Sequence, residues 1–347
     1  MSYPLAHLRY ALAAALLAAA AVAAAGQETV PGTQGTLFVT ERQNGSVSAL
    51  DAATGLPLWT GMTGASPIGV TRPDGTHKVY TSDEGSNWMS VFDADTGAPL
   101  RSIAMGPLPH HLMAHQQLIY VGEFGHNQIG VIDTRTDVRI AGFVASPSPE
   151  ARTHAVWIAR NGIDLYATNS RANRAETGDV AKLNAVTGAL LCNTSVGADP
   201  SEVLVTPDGR MAYVSVRREN LVKELDLTGA CPVLTGRQAA VGTQPDTLQL
   251  TVDGKTLVVT LRGTPAQISF VDTGSFGVRI ITIPGHTTTG HHWLSANGKF
   301  SFVAVENPAG VAVVDNESGA TLRVYPYPTP PGGTRAHGVF YVPARSR

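Results

Sequence analysis

The chain reads as an all-β, seven-bladed β-propeller, and two observations predict it. A turn signature, Asp-x-x-Thr-Gly, recurs along the sequence at intervals of 40 to 51 residues, the spacing of a four-stranded blade. The two ends of the chain also carry complementary fragments of one further repeat. A unit repeated at that period cannot bury its apolar faces alone and stacks on its neighbours.

The signature is clearest at Asp51…Thr54-Gly55 and Asp93…Thr96-Gly97. It returns altered at Asp133…Thr136-Asp137, Asn184…Thr187-Gly188, Asp226…Thr228-Gly229, Asp272-Thr273-Gly274 and Asp315…Ser318-Gly319. Within each repeat an earlier turn separates two short apolar strands. It is Asp74-Gly75, Asn161-Gly162, Asp208-Gly209, Asp253-Gly254 or Asn297-Gly298, pairs suited to the positive φ of tight hairpins. Gln116-Gln117 stands at that place in the third repeat, leaving its first hairpin the least determined.

Leu37-Phe38-Val39 enters as a second strand with no first strand before it. The tail, Ala336 to Val342, is a first strand with nothing after it. Joining them completes the N-terminal blade with the C-terminal strand and closes the ring.

Residues 1–25 read as a signal peptide and 26–347 as the propeller. His7 and Arg9 precede an Ala/Leu run from Ala11 to Ala25, too short for the ~20 residues of a spanning helix, with small residues before Gly26. The predicted location is therefore the periplasm, with no membrane span after signal removal. A formal net charge of −2 and the lack of a basic run exclude nucleic acid as a partner. Cys192 and Cys231 fall in consecutive repeats and either bridge neighbouring blades or stand as two buried thiols. Neither lies in a Cys-x-x-Cys-His, which excludes covalent c-type haem.

Turns joining strands one–two and three–four fall on one face of the disc, and the longer, irregular loops fall on the other. Function tends to ride on such loops, so the site is expected on the irregular face. Superposing the repeats places His110-His111, His154, His291-His292 and His337 at the start of the innermost strands, around the central channel. Blades five and six carry Ser201-Glu202 and Asp246-Thr247 there. Across the hairpins the same superposition sets Glu41, Glu123 and Glu306 beside the histidines and Arg217 and Arg262 in the other blades, with a Glu202–Arg217 ion pair. Six convergent imidazoles suit copper or zinc, and a carboxylate beside each cluster can orient the ring through its second nitrogen. Trp88 is a candidate apolar wall. Trp59, Trp157 and Trp293 read as strand packing, His126 as a solvated loop residue, and His77 and His115 as outside the site.

The pattern Pro-Asp-Gly…Tyr-Val-x…Asp-x-x-Thr-Gly, with Tyr166-Ala167-Thr168-Asn169 nearest the naming tetrapeptide, resembles the YVTN-type β-propeller repeats of bacterial exported proteins over essentially the whole mature chain. That resemblance implies the fold and leaves the activity open. The adjacent pair His110-His111, with His154, His291 and His337, is similar to the copper-holding propeller hub of nitrous-oxide reductase, which implies a His-lined metal hub. Blades five and six depart from it in lacking histidine, and no cupredoxin-like domain follows, so the reaction is not implied.

Three functions follow as expectations. The first is a periplasmic binding protein holding a metal ion, a small ligand or a protein partner. The second is a lactonase-like hydrolase or lyase, with His110 and Glu123, or His291 and Glu306, as acid and base. The third is a structural interaction disc. No Gly-x-Ser-x-Gly elbow, P-loop or His-Glu-x-x-His occurs.

Overall fold

A computed structural model describes residues 29–328 and 334–344. The predicted signal peptide lies outside the described residues. Seven four-stranded antiparallel sheets form the ring. Blade one is composite, with Ala336–Pro343 pairing on Gly35–Glu41, followed by Ser46–Asp51 and Pro57–Met62. The remaining innermost strands, from blade two to blade seven, are Pro67–Thr71, Pro109–His115, Ala151–Ile158, Pro200–Val205, Pro245–Leu250 and Thr288–Leu294. No helix among the described residues is long and apolar enough to cross a membrane.

The repeated signature works as a hydrogen-bonded clasp. Asp51 Oδ1 accepts from the Ala53 and Thr54 amides at 3.1 and 2.8 Å and from the Thr54 hydroxyl at 2.7 Å. Gly55 then takes a φ of 75°, and a Cβ there would lie 2.2 Å from the Tyr325 ring of blade seven, so glycine is required twice over. Blade six forms the same clasp two residues beyond its Thr273-Gly274 pair. Ser275 binds Asp272, and Phe276, at φ 60°, takes the glycine position. In blade three Gln116 adopts a φ of 53° and the first hairpin forms without glycine.

Apolar cores lie between adjacent blades. At the closure, Leu37, Val39 and Leu50 of blade one pack with Phe302, Val311 and Val313 of blade seven and with Val339 and Tyr341 of the C-terminal strand. Cys192 and Cys231 are bridged, Cα atoms 6.1 Å apart, tying the outer edges of blades four and five.

Candidate metal centre

Every innermost strand carries a β-bulge at the same place. In blade three, Pro109 pairs with Glu123 and Leu112 with Val121, so His110 and His111 together face one residue, Gly122. The equivalent pairs are Ile68-Gly69, His154-Ala155, Ser201-Glu202, Asp246-Thr247 and Gly290-His291. In blade one the shift falls at His337-Gly338, facing Thr40. A bulge leaves a carbonyl without its ladder partner. A hydroxyl from the preceding blade takes several of them. Thr40, Thr168 and Ser215 donate to Ile68, Ser201 and Asp246 at 3.2, 2.7 and 2.6 Å, and Ser82 donates to His110.

The bulge turns two successive side chains inward and so builds the hub in layers. Second members of the pairs (Gly69, His111, Glu202, Thr247 and His291) line a channel that runs to the face of the Asp-Gly turns. First members, including His110, His154, Asp246 and His337, lie on the other side, toward the irregular loops. The residue two places after the one facing each bulge, at or just beyond the end of strand two, supplies a further layer over them, with Arg42, Glu84, Phe124, Ser170, Arg217, Arg262 and Glu306 in ring order. Within it Arg42 pairs with Glu84 at 2.7 Å and Arg262 with Glu306 at 3.1 Å.

Five of the six predicted histidines form one continuous arc. Ring centroids are 5.0 Å apart for His110–His111, 4.3 Å for His110–His154, 4.8 Å for His111–His154, 4.3 Å for His111–His291 and 4.6 Å for His291–His337. Phe124 caps His110 and His154 at 5.4 and 5.2 Å. His292 stands apart, because the register aligns Gly290-His291, not His291-His292, with the His110-His111 pair. Its Nδ1 lies 2.9 Å from the Thr247 hydroxyl. Gly290 has its own reason, since a Cβ there would lie 2.5 Å from the His337 carbonyl.

Burial first, then neighbouring positive charge, holds His110, His154, His291 and His337 well below the usual imidazole range. Burial likewise pulls His111 down to about 4. The rings are therefore neutral at pH 7, the form that ligates metal. His154 Nδ1 lies 2.8 Å from the Ser201 carbonyl, which can only accept, so Nδ1 carries the proton and Nε2 presents a lone pair. His110 Nδ1, His111 Nε2 and His291 Nε2 are buried with no hydrogen-bond partner. His110, His111 and His154 offer ligand atoms all within 4.8 Å of one another. Nitrogens bound to one tetrahedral zinc or copper ion at about 2.0–2.1 Å stand roughly 3.3–3.6 Å apart, so inward movements of about 1 Å by each ring close the set. His337 differs. Arg262 Nη1 lies 3.1 Å from its Nδ1, which must accept, so Nε2 carries the proton and His337 is placed as a donor, not a ligand.

The structure does not bring Glu41 or Glu123 to the hub. Glu123 accepts from the Gly106 amide at 2.8 Å and pairs with Arg139 at 3.0 Å and His126 at 3.4 Å. Glu41 accepts from the Asn44 and Arg335 amides at 2.7 and 2.9 Å. Both stand opposite the residue before the bulge, and strand alternation turns them away. One residue on, Arg42 and Phe124 hold the hub position instead. Glu306 belongs to that later position and reaches His337 at 3.6 Å and Arg335 at 3.1 Å. The His110–Glu123 and His291–Glu306 acid–base pairs expected from sequence are thus not formed. Arg217 pairs not with Glu202 but with Asp246 of the next blade, which also accepts from Ser201 at 2.6 Å. Trp88 is an outer residue packed over Gly64, away from the hub. His77 pairs with Asp95 on the surface.

Glu202 accepts from the Leu248 amide at 2.6 Å inside the channel, where burial pushes its carboxyl up to about 8. An unfolded glutamate ionises near 4.5, so between these values the native chain holds the extra proton and stability falls as pH rises. Glu202→Gln keeps the acceptor for Leu248 and removes that titration. It should raise stability at pH 8 by about 1–3 kcal/mol, with no gain at pH 4.5, as read by denaturant melts at the two pH values.

No protein-family model matches this chain, and no curated protein matches it. Among solved structures it is similar to hydrazine synthase of Kuenenia stuttgartiensis, at 18% identity and TM-score 0.72, covering 82% of this chain and 93% of that one. It is also similar to the periplasmic gluconolactonase of Pseudomonas aeruginosa, at 18% identity and TM-score 0.66, covering 89% and 99%. A third likeness is to the dihydro-heme d1 dehydrogenase NirN in complex with DHE, at 13% identity and TM-score 0.60, covering 91% and 76%. At these identities the likeness is one of fold. The chain is a seven-bladed β-propeller.

Proposed function

We propose that this protein is an exported, periplasmic binding propeller of the YVTN-repeat kind, holding one copper or zinc ion at its hub through His110, His111 and His154. His291 stands beside His111 as a further ligand. The observation that carries the reading is the His110–His111–His154 triad, buried and neutral, with ligand atoms within 4.8 Å and the His154 ring oriented by the Ser201 carbonyl. An imidazole-only set favours copper or zinc over hard cations such as magnesium or calcium. The test is elemental analysis of protein purified from its native compartment without refolding. About one ion per chain is expected, falling at least ten-fold in His110→Ala/His154→Ala. Metal content unchanged by that double substitution would remove the reading.

Hydrolysis at the same hub is a second reading. His337 supports it, with a proton on Nε2 and with Nδ1 3.6 Å from the Glu306 carboxylate, as does the resemblance in fold to a gluconolactonase. Turnover of a sugar lactone, lost in Glu306→Gln with metal retained, would favour hydrolysis over binding alone.

A further inference from the structure

The channel on the opposite side of the bulge layer is unused by the metal reading, apart from the rings of His111 and His291 in its floor. It encloses about 390 Å³, within the ordinary range for small-molecule sites, and runs toward the short Asp-Gly turns. Its walls are aromatic, made by Trp157, Trp293 and Phe340, with the Trp293 and Phe340 rings 4.5 Å apart. The sequence marks both tryptophans as strand packing. They do pack on the blade cores, but each also faces this space.

Polar groups are set into the aromatic wall without partners. Arg72 Nε, His115 Nε2 and His292 Nε2 line the channel, are buried, and make no hydrogen bond. A buried polar group left unpaired costs about 1–3 kcal/mol, so three around one cavity mark a place where a ligand or water completes the set. Arg72, at the end of the innermost strand of blade two, offers the planar fork that suits a carboxylate. Two carboxyls also line the channel: Asp74 at its mouth is exposed, so water screens its charge, and Glu202 is tied to the Leu248 amide at 2.6 Å. Flat aromatic walls favour a flat apolar body stacked between them.

We propose that this channel binds a small organic carboxylate with a flat apolar body, entering from the face of the Asp-Gly turns. Its body lies between Trp157, Trp293 and Phe340, and its carboxylate rests on Arg72. The site meets the metal centre only at its floor, through the rings of His111 and His291, because His110 and His154 lie on the far side of the bulge layer and do not line it.

Phenylacetate and its uncharged analogue phenylacetamide are suitable probes, titrated by calorimetry into the whole protein as purified and again after removal of metal by a chelator. Saturable binding of phenylacetate is expected, about ten-fold or more tighter than the amide and the same with and without metal. Arg72→Gln should erase the acid-over-amide preference while leaving amide binding in place. A second substitution, Gln249→Trp, should fill the channel and abolish both. Its fold is checked by the denaturant midpoint. The proposal is overturned if phenylacetate does not bind saturably, if its preference over the amide survives Arg72→Gln, or if its binding disappears with the metal. The last result would place the acid on the ion and leave the metal reading intact.

Discussion

A chain ending before Ala336 should show no cooperative unfolding transition. The strand Ala336–Pro343 is the innermost strand of blade one, and it pairs with Gly35–Glu41 along six positions. Removing it exposes that whole strand edge together with Leu37 and Val39, which are fully buried. Val339 and Tyr341, 4% and 5% exposed, also leave the core between blades seven and one. Full burial of such a side chain is worth about 1.5–3 kcal/mol, and a native protein has only about 5–15 kcal/mol in total. The deletion also opens the ring, so each terminal blade presents an uncovered apolar face. Circular dichroism during denaturant titration checks it. A sharp transition at the full-length midpoint would show that closure by the C-terminal strand is not what holds the ring.

Asp246→Asn should cost roughly 3–5 kcal/mol, the usual penalty for removing one partner of a buried ion pair. Asp246 is 1% exposed, takes hydrogen bonds from Ser201 and Arg217, and lies 4.0 Å from Arg262. Burial alone would raise its carboxyl, but the Arg217 and Arg262 guanidiniums hold it well below the usual carboxylate range. Asparagine keeps the shape and removes the charge, leaving Arg217 without a carboxylate partner beside a set of neutral imidazoles, while Arg262 keeps Glu306 at 3.1 Å. The measurement is the urea midpoint, read with an unchanged slope so that the loss belongs to the native state. A change under about 1 kcal/mol would mean that water, not Asp246, balances Arg217.

Blade number, composite closure and the convergence of the histidines were all legible in the sequence. They depend on period and on turn chemistry, which residues such as Asp51, Thr54 and Gly55 report directly. The bulge was not. It is a register shift between strands, and no residue type marks it. It carries Ile-Gly in blade two, His-His in blade three and Asp-Thr in blade six. A strand read without the bulge is out by one residue wherever alternation decides which way a side chain points. Regular alternation therefore points Glu41 and Glu123 inward in place of Arg42 and Phe124, and sets His292 beside His291. A comparison of the residues that follow strand two in every repeat could have found the Arg42–Glu84 and Arg262–Glu306 pairs, because opposite charges fall in adjacent blades there. The proton position that separates His337 from its neighbours depends on Arg262, 75 residues away, and only the folded ring brings the two together.

X-ray absorption at the metal edge tests the central claim most directly. Protein loaded with copper or zinc should show a first shell of three or four nitrogens at about 2.0 Å, with the outer-shell scattering of imidazole rings. Loss of that pattern in His110→Ala/His154→Ala would tie it to the bulge layer. A shell of oxygen or sulfur ligands, or an imidazole shell that persists in the double variant, would contradict a metal centre at this hub.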